Sequence, residues 1–358
     1  MKLYLTGRIL QINVYGTMEC RMDKIESQVM PVPPNLIASL RAGFDAVANQ
    51  IAIISIPIAI DLFLWLGPHI QIKSLAINFL KSMASTIELS SIQSGDVLTA
   101  SMDVIRATAE QFNLLSLFRT IPVGIPSLMA ARLPVELPNG VPIFIDIPNI
   151  FGAAGIAISS IIIGLIFGCF YYILVGQIAL QGKINLNNIV KNWSWSSIQV
   201  LGLALALLVL FVVISVPSTC AISALALFGL QLGQFAIFLY IGIILWLAFP
   251  LLFAAHGIFV NHLNTLASVQ RSMMLSRMTL PTTSLFILSI LVISEGLDML
   301  WRVPSEKSWL TLLGVGGHAF ISSALLAASF VYYRDADHWT QETLKILKSH
   351  REMLSKNN

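Results

Sequence analysis

The sequence predicts an all-α, polytopic integral membrane protein, with six transmembrane helices arranged as three units of interfacial helix plus hairpin and a long outer insertion between helices one and two. Three observations predict it. Six apolar stretches of about twenty residues or more lie between residues 48 and 333. Charged residues fall almost entirely in the connections between them. The chain is 56% hydrophobic and 11% charged, with a mean hydropathy of +0.80, against about 45–50% and about 25% in soluble domains.

A hydrocarbon core about 30 Å thick is crossed by about 20 helical residues rising about 1.5 Å each. On that ruler the spans are 48–67, 152–175, 195–216, 235–260, 282–301 and 309–333. The runs are continuous, whereas the strands of a membrane barrel alternate over about ten residues, so a barrel is excluded. Lipid offers the backbone no partner, and the spans are therefore helices.

Residues 1–34 precede the patterned sequence. A basic start is followed by an apolar run broken at Arg8, Gln11 and Asn13, which does not make a signal peptide. The segment is expected to be disordered, or to precede a translation start at Met22 or Met30. The membrane domain then occupies 35–333. Its first element, 35–47, places Leu36, Leu40, Phe44 and Val47 on one stripe with Arg41 and Asp45 off it, the pattern of a helix lying at an interface. Segments 185–193 and 265–274 repeat that character before spans three and five. Each pairs a basic residue with a bulky anchor two or three positions later: Arg41 with Phe44, Lys191 with Trp193, Arg271 with Met273. Such segments suit the headgroup layer of the inner leaflet. A threefold repeat over roughly 35–180, 184–263 and 264–333 follows, with chance amphipathicity as the alternative.

The insertion, residues 68–150, has two halves. Asp96 is placed to cap a turn starting at Val97. Further on, Pro122, Pro126, Pro134, Pro138, Pro142 and Pro148 forbid a continuous spanning helix. The segment is either a cap resting on the outer face of the bundle or a lid over a ligand cavity. Pro57 and Pro250 should kink spans one and four. Gly152, Gly155, Gly164 and Gly168 include the small-residue spacing of close helix contacts, and Gln177, Gln231 and Gln234 are placed for hydrogen bonds between helices.

Charge gives an orientation. Lys2, Arg8, Arg21, Lys24 and Arg41 precede span one, while Lys183, Lys191, Arg271 and Arg277 occupy connections without an acid. Those segments are expected in the cytoplasm, with both termini inside and 334–358 as a cytoplasmic tail. The net charge of +3 comes from 21 scattered basic residues against 18 acids and gives no argument for nucleic acid. Cys20, Cys169 and Cys220 share no compartment at short range, so no disulfide framework is expected.

The candidate site is a polar cluster at the outer helix ends. Asp61, Glu295, Asp298 and His318 are all expected near one depth, and Glu295 and Asp298, three apart, share a helix face. Three carboxyls and an imidazole together fit a cation or proton site; beside Trp65, Trp301 and Trp309 they also fit ordinary interfacial anchoring. His256 and His262, six apart, fall on opposite helix faces, unlike the four-residue spacing of a zinc helix. No nucleophile–base pair, metal-ligand cluster or phosphate loop is visible, so no catalytic residue, metal or cofactor is assigned.

Three stretches carry a resemblance: 34–45 (Pro34 to Asp45), 56–68 (Ile56 to Pro68), and Gly317-His318-Ala319-Phe320-Ile321 with the later run Phe330 to Asp335. They resemble a group of six-span bacterial membrane proteins of the green non-sulfur type. The layout is also similar to the membrane domain fused to some glycerophosphodiester phosphodiesterases, although this chain has no soluble phosphodiesterase domain. The resemblance implies a fold and a bacterial inner membrane, and brings no active residues. A non-enzymatic scaffold or lipid-associated component is the expected role. A transporter or channel using the outer acidic cluster is the alternative, and a membrane-embedded enzyme the third. Membrane lipid, a membrane-protein partner or a second copy of the chain are the partner classes.

Overall fold

The computed structural model describes residues 3–5, 8–10, 31–88, 106, 112–132, 136–227 and 233–356. Cys20, Met22, Met30, the expected cap at Asp96, and Gln231 lie outside the described residues. The chain divides into two compact units, residues 33–338 and a smaller one formed by 1–32 with 339–358. In the smaller unit, strands β1 (Leu3–Leu5) and β2 (Arg8–Leu10) pair antiparallel, and Trp339 Nε1 donates to the Pro31 carbonyl at 2.8 Å.

The helices that follow are α1 (Leu36–Asn49), α2 (Ser55–Leu66), α3 (Lys73–Glu88), α4 (Ile150–Gln181), α5 (Leu186–Leu227), α6 (Gly233–Ala248), α7 (Ala254–Asn261), α8 (Thr265–Met278), α9 (Leu280–Trp301) and α10 (Thr311–Lys356). Strands β3 (His69–Gln71) and β4 (Phe144–Asp146) form a short parallel pair between α2 and α4. Five stretches are long and apolar enough to cross a membrane: Ile150–Gln181, Leu186–Ala224, Phe235–Asn261, Leu280–Trp301 and Thr311–Glu352. Leu36–Asn49 with Ile51–Leu66 makes a sixth if that bent pair is one span. The protein is helical and membrane-embedded.

The 89° bend lies between Leu36–Asn49 and Ile51–Leu66, so it separates the expected interfacial segment 35–47 from nearly all of the expected span 48–67, and it falls at Gln50 rather than at Pro57. Pro57 lies in the first turn of α2, where its missing N–H costs the helix no bond. Asn35 caps α1 by accepting from the Ile37 and Ala38 amides. The apolar stripe Leu36, Leu40, Phe44 and Val47 packs on the bundle, with Arg41 and Asp45 exposed. A Cβ at Gly43 would collide with the backbone of Ala324 and Ala328, so α1 crosses α10 backbone to backbone.

The segment expected as an interfacial helix before span three is continuous with it, because nothing between Leu186 and Val200 breaks a helix. By contrast α8 and α9 separate at Thr279, just before Pro281. Helix α5 also runs through Pro217 to Leu227. Thr219 Oγ1 donates to the Ser215 carbonyl at 2.9 Å within that disturbed turn. At Pro250 the span Phe235–Asn261 passes through the 3-10 turn Phe249–Leu251, as expected of a proline.

The insertion does not rest on the helix ends. Its irregular stretch 112–132 is threaded into the bundle, where Val123 is fully buried among Leu165, Cys169, Val200, Leu203 and Ile258. Leu165 and Cys169 lie near the middle of the 32-residue α4. The glycines of α4 make this approach feasible. A Cβ at Gly164 would sit 2.6 Å from the Phe118 carbonyl oxygen, and one at Gly168 3.1 Å from Gly124 Cα. The small-residue stripe therefore receives irregular chain rather than another helix, while Gly155 meets nothing within 4 Å.

Helix α6 stands apart. None of the most apolar window of Phe235–Asn261 is buried. Phe235, Phe238, Leu239, Ile241, Leu245 and Trp246 are exposed, while Ala236, Tyr240, Ile244 and Leu247 form one half-buried stripe. Its link to α5 includes the Ser215–Tyr240 hydroxyl pair at 2.7 Å.

Candidate functional site

Irregular backbone threaded among apolar helices must find partners for its amides within the protein. Asp61, in the second turn of α2 and fully buried, supplies them. Its carboxyl accepts from the Ser127 hydroxyl at 2.5 Å, the Leu128 amide at 3.1 Å and the Met129 amide at 2.9 Å. Ser127 Oγ in turn accepts from the Ala130 amide at 3.0 Å. One acid thus ties down the 3-10 turn Met129–Ala131.

Asp298 and His318 meet across α9 and α10. His318 Nδ1 lies 2.7 Å from Asp298 Oδ1, and Ser322 Oγ lies 3.3 Å from His318 Nε2. Arg302, one turn beyond Asp298, approaches its other oxygen at 3.8 Å. Arg119 also lies within electrostatic reach of Asp298, as His318 does of Asp61. Asp61, Asp298 and His318 therefore form one neighbourhood. Glu295 does not join it, because it lies on the exposed side of α9 and has no polar partner among the described residues. The three-residue spacing that linked it to Asp298 spreads over enough arc for one side chain to face inward and the other outward.

The surrounding aromatics are packing groups. Trp65 is fully buried, donates to the Glu306 carbonyl at 3.1 Å and meets Trp309 edge-on at 6.0 Å. Arg132 donates to the Arg302 carbonyl at 2.8 Å, with Glu306 3.7 Å away. Burial pulls the Arg132 guanidinium below its ordinary pKa, against the opposite pull of Glu306.

Three of the six expected interfacial anchors, Phe44, Trp193 and Arg271, are engaged with neighbouring helices. Phe44 packs edge-on against Phe320 at 6.1 Å. Trp193 Nε1 donates to the Ile166 carbonyl at 2.8 Å, and its ring meets Phe170. Arg271 makes a two-point contact with Asp337, at 2.5 and 2.9 Å, which pushes its pKa above the ordinary value. Arg41, bound only to Asp45 one turn on at 3.7 Å, is exposed, as is Lys191. Met273 is half-buried beside Met274, Arg277 and Met278 in a shallow groove.

Sequence reasoning passed over the residues that bind α10 to its neighbours. Tyr332 stacks on Phe286 at 4.1 Å and reaches the Thr283 hydroxyl at 3.0 Å. Asn261 Nδ2 donates to both Tyr333 OH and Asp337, each at 3.1 Å. The run Phe330 to Asp335 carried part of the resemblance, and in the fold it is a packing seam. His256 Nε2 lies 2.8 Å from Ser329 Oγ, with its ring against Phe330.

Chemically, the Asp61 neighbourhood can hold chain in place and exchange a proton between Asp298 and His318. The chain matches no described protein family, no curated protein and no solved structure.

Proposed function

We propose that the protein is a six-span component of a bacterial inner membrane, acting as a non-enzymatic scaffold or lipid-associated protein, with both termini in the cytoplasm. In this reading residues 48–67, through α2, are the first span, and α1, the start of α5 and α8 open three successive units as interfacial helices, each followed by a hairpin. The stretch between α2 and α4 is then the insertion of the outer side. The resemblance to the six-span bacterial group, and to the phosphodiesterase-fused membrane domain, supports the same layout.

The observation that carries the role is α6, whose large apolar side chains are exposed outside the half-buried stripe of Ala236, Tyr240, Ile244 and Leu247. In a membrane such a surface is covered by acyl chains or by another apolar protein surface. The polar neighbourhood agrees, since both Asp61 oxygens are occupied by donors of its own chain. A transport path needs such groups available to a passing ion.

Native mass spectrometry of the full chain, extracted with its surrounding membrane, tests this. A reproducible protein or lipid adduct that survives mild activation is expected. A bare monomer indifferent to delipidation would overturn the scaffold. Ion flux in proteoliposomes that is abolished by Asp298→Asn would replace it with the transporter reading.

A further inference from the structure

Helix α4 ends at Gln181, with Gly182 in the left-handed conformation (φ 68°) turning the chain into α5. Across this turn two polar stripes face one cavity of about 90 Å³. Gln177 and Gln181 line it from the last turns of α4, and Asn188, Asn192 and Ser196, spaced one turn apart, line it from α5. His262, at the end of α7, completes the polar rim, and Phe259 and Phe330 form an apolar wall.

Gln177 is only 6% exposed. Its Oε1 accepts from the Asn185 amide at 2.9 Å, which fixes the carboxamide, yet its Nε2 has no partner among the described residues. A buried amide donor left without its hydrogen bond is unfavourable. Asn192 Nδ2 donates to Asn188 Oδ1 at 2.7 Å, so those two amides are held in a defined orientation.

We propose that this cavity binds an uncharged, hydroxyl-rich group: the sugar or glycerol headgroup of a membrane lipid, or a free polyol of the same chemistry. Carboxamides and a serine both donate and accept, and so does each hydroxyl of a polyol. Apart from the His262 imidazole, no ionisable side chain lines the cavity. A phosphate would call for cationic donors and an ammonium for carboxyls. One water needs about 10–15 Å³ by this measure, so the cavity has room for several hydroxyl-bearing carbons. The Phe259 and Phe330 faces suit the C–H side of a sugar ring. The site goes beyond the scaffold role, since it depends on a cavity at the α4–α5 turn and not on the exposed surface of α6.

The test uses the full chain in phosphatidylcholine nanodiscs doped with monoglucosyl-diacylglycerol, with phosphatidic acid as a charged competitor and methyl glucoside as the free probe. Retention of the glucosyl lipid in native mass spectra, reduced at least tenfold in both Gln177→Met and Asn192→Leu, is expected and assigns a lipid source. Saturable methyl glucoside binding with the same sensitivity assigns a free polyol and equally supports the site. Equal retention by monodisperse variants, preference for phosphatidic acid, or binding of neither glucoside overturns it. A protein adduct without glucosyl lipid would leave the scaffold reading standing and remove this one alone.

Discussion

Around Asp61, Asp298 and His318 the buried carboxyls have donors from their own chain, whereas beside Phe330 the buried amide of Gln177 has an unpaired nitrogen. Phe330 lies twelve residues further along α10 than His318, or about 18 Å at helical rise. The two regions use polarity for different ends. At the first, charge-bearing side chains satisfy backbone that has no helical partner, and what they hold is the protein itself. At the second, neutral groups are prearranged around space, and what they hold must come from outside. A polar residue within an apolar bundle is therefore not by itself a functional sign; the sign is whether its bonds are already made.

Removing Asp61 should give the largest effect. Asp61→Ala leaves the Leu128 and Met129 amides and the Ser127 hydroxyl without an acceptor in the bundle, a loss of roughly 3 kcal/mol or more. A marginally stable protein should lose most of its folded yield, measured as the monodisperse fraction in detergent. If Asp61→Ala instead melts at the wild-type temperature, the holding role of the first region is wrong. Gly164→Leu should come next. Its side chain must displace the Phe118 backbone, at a cost of about 1–3 kcal/mol for overpacking. Limited proteolysis should then cut within 112–132 while α4 itself stays protected.

The helical membrane class was legible because continuous apolar runs have few other solutions. The bend at Gln50 was not, since a glutamine carries no breaking signal and the break is set by α1 packing across α10 at Gly43. Nor was the threading of 112–132. Prolines declared that stretch non-helical, but nothing local says that Gly164 and Gly168 would receive it rather than a helix. Asp61, Asp298 and His318, expected near one depth, lie in one neighbourhood of the fold, while Glu295, assigned by spacing to the face of Asp298, lies on the exposed side of α9. Gln177 was read as a bond between helices. In the fold its oxygen serves the Asn185 turn and its nitrogen faces none of them.

Asp298 and Glu295 sharpen the contrast within one helix. Asp298→Asn weakens a buried contact to His318 and should cost about 1–2 kcal/mol, read as a fall in melting temperature in detergent. Glu295→Gln changes an exposed, unpartnered group and should leave the melting temperature unchanged. A larger loss at Glu295 than at Asp298 would mean that a partner covers α9.

His69, in β3 beyond the end of α2, sets the smallest effect. It is fully buried beside Phe144 at 5.6 Å, and neither ring nitrogen makes a well-formed hydrogen bond. Burial lowers its pKa below the ordinary value, against a weaker upward pull from the Leu64 carbonyl. Above the unfolded pKa of about 6.5 both states are neutral and the group adds no pH dependence. As pH falls through that value the unfolded chain takes up the proton first, so stability drops until the folded pKa is reached. Wild type should thus lose stability relative to His69→Phe as the pH falls from 7 through the unfolded pKa. The variant, which removes two unsatisfied nitrogens, should gain about 1 kcal/mol at neutral pH. Parallel pH profiles for the two proteins would mean that His69 already has a partner.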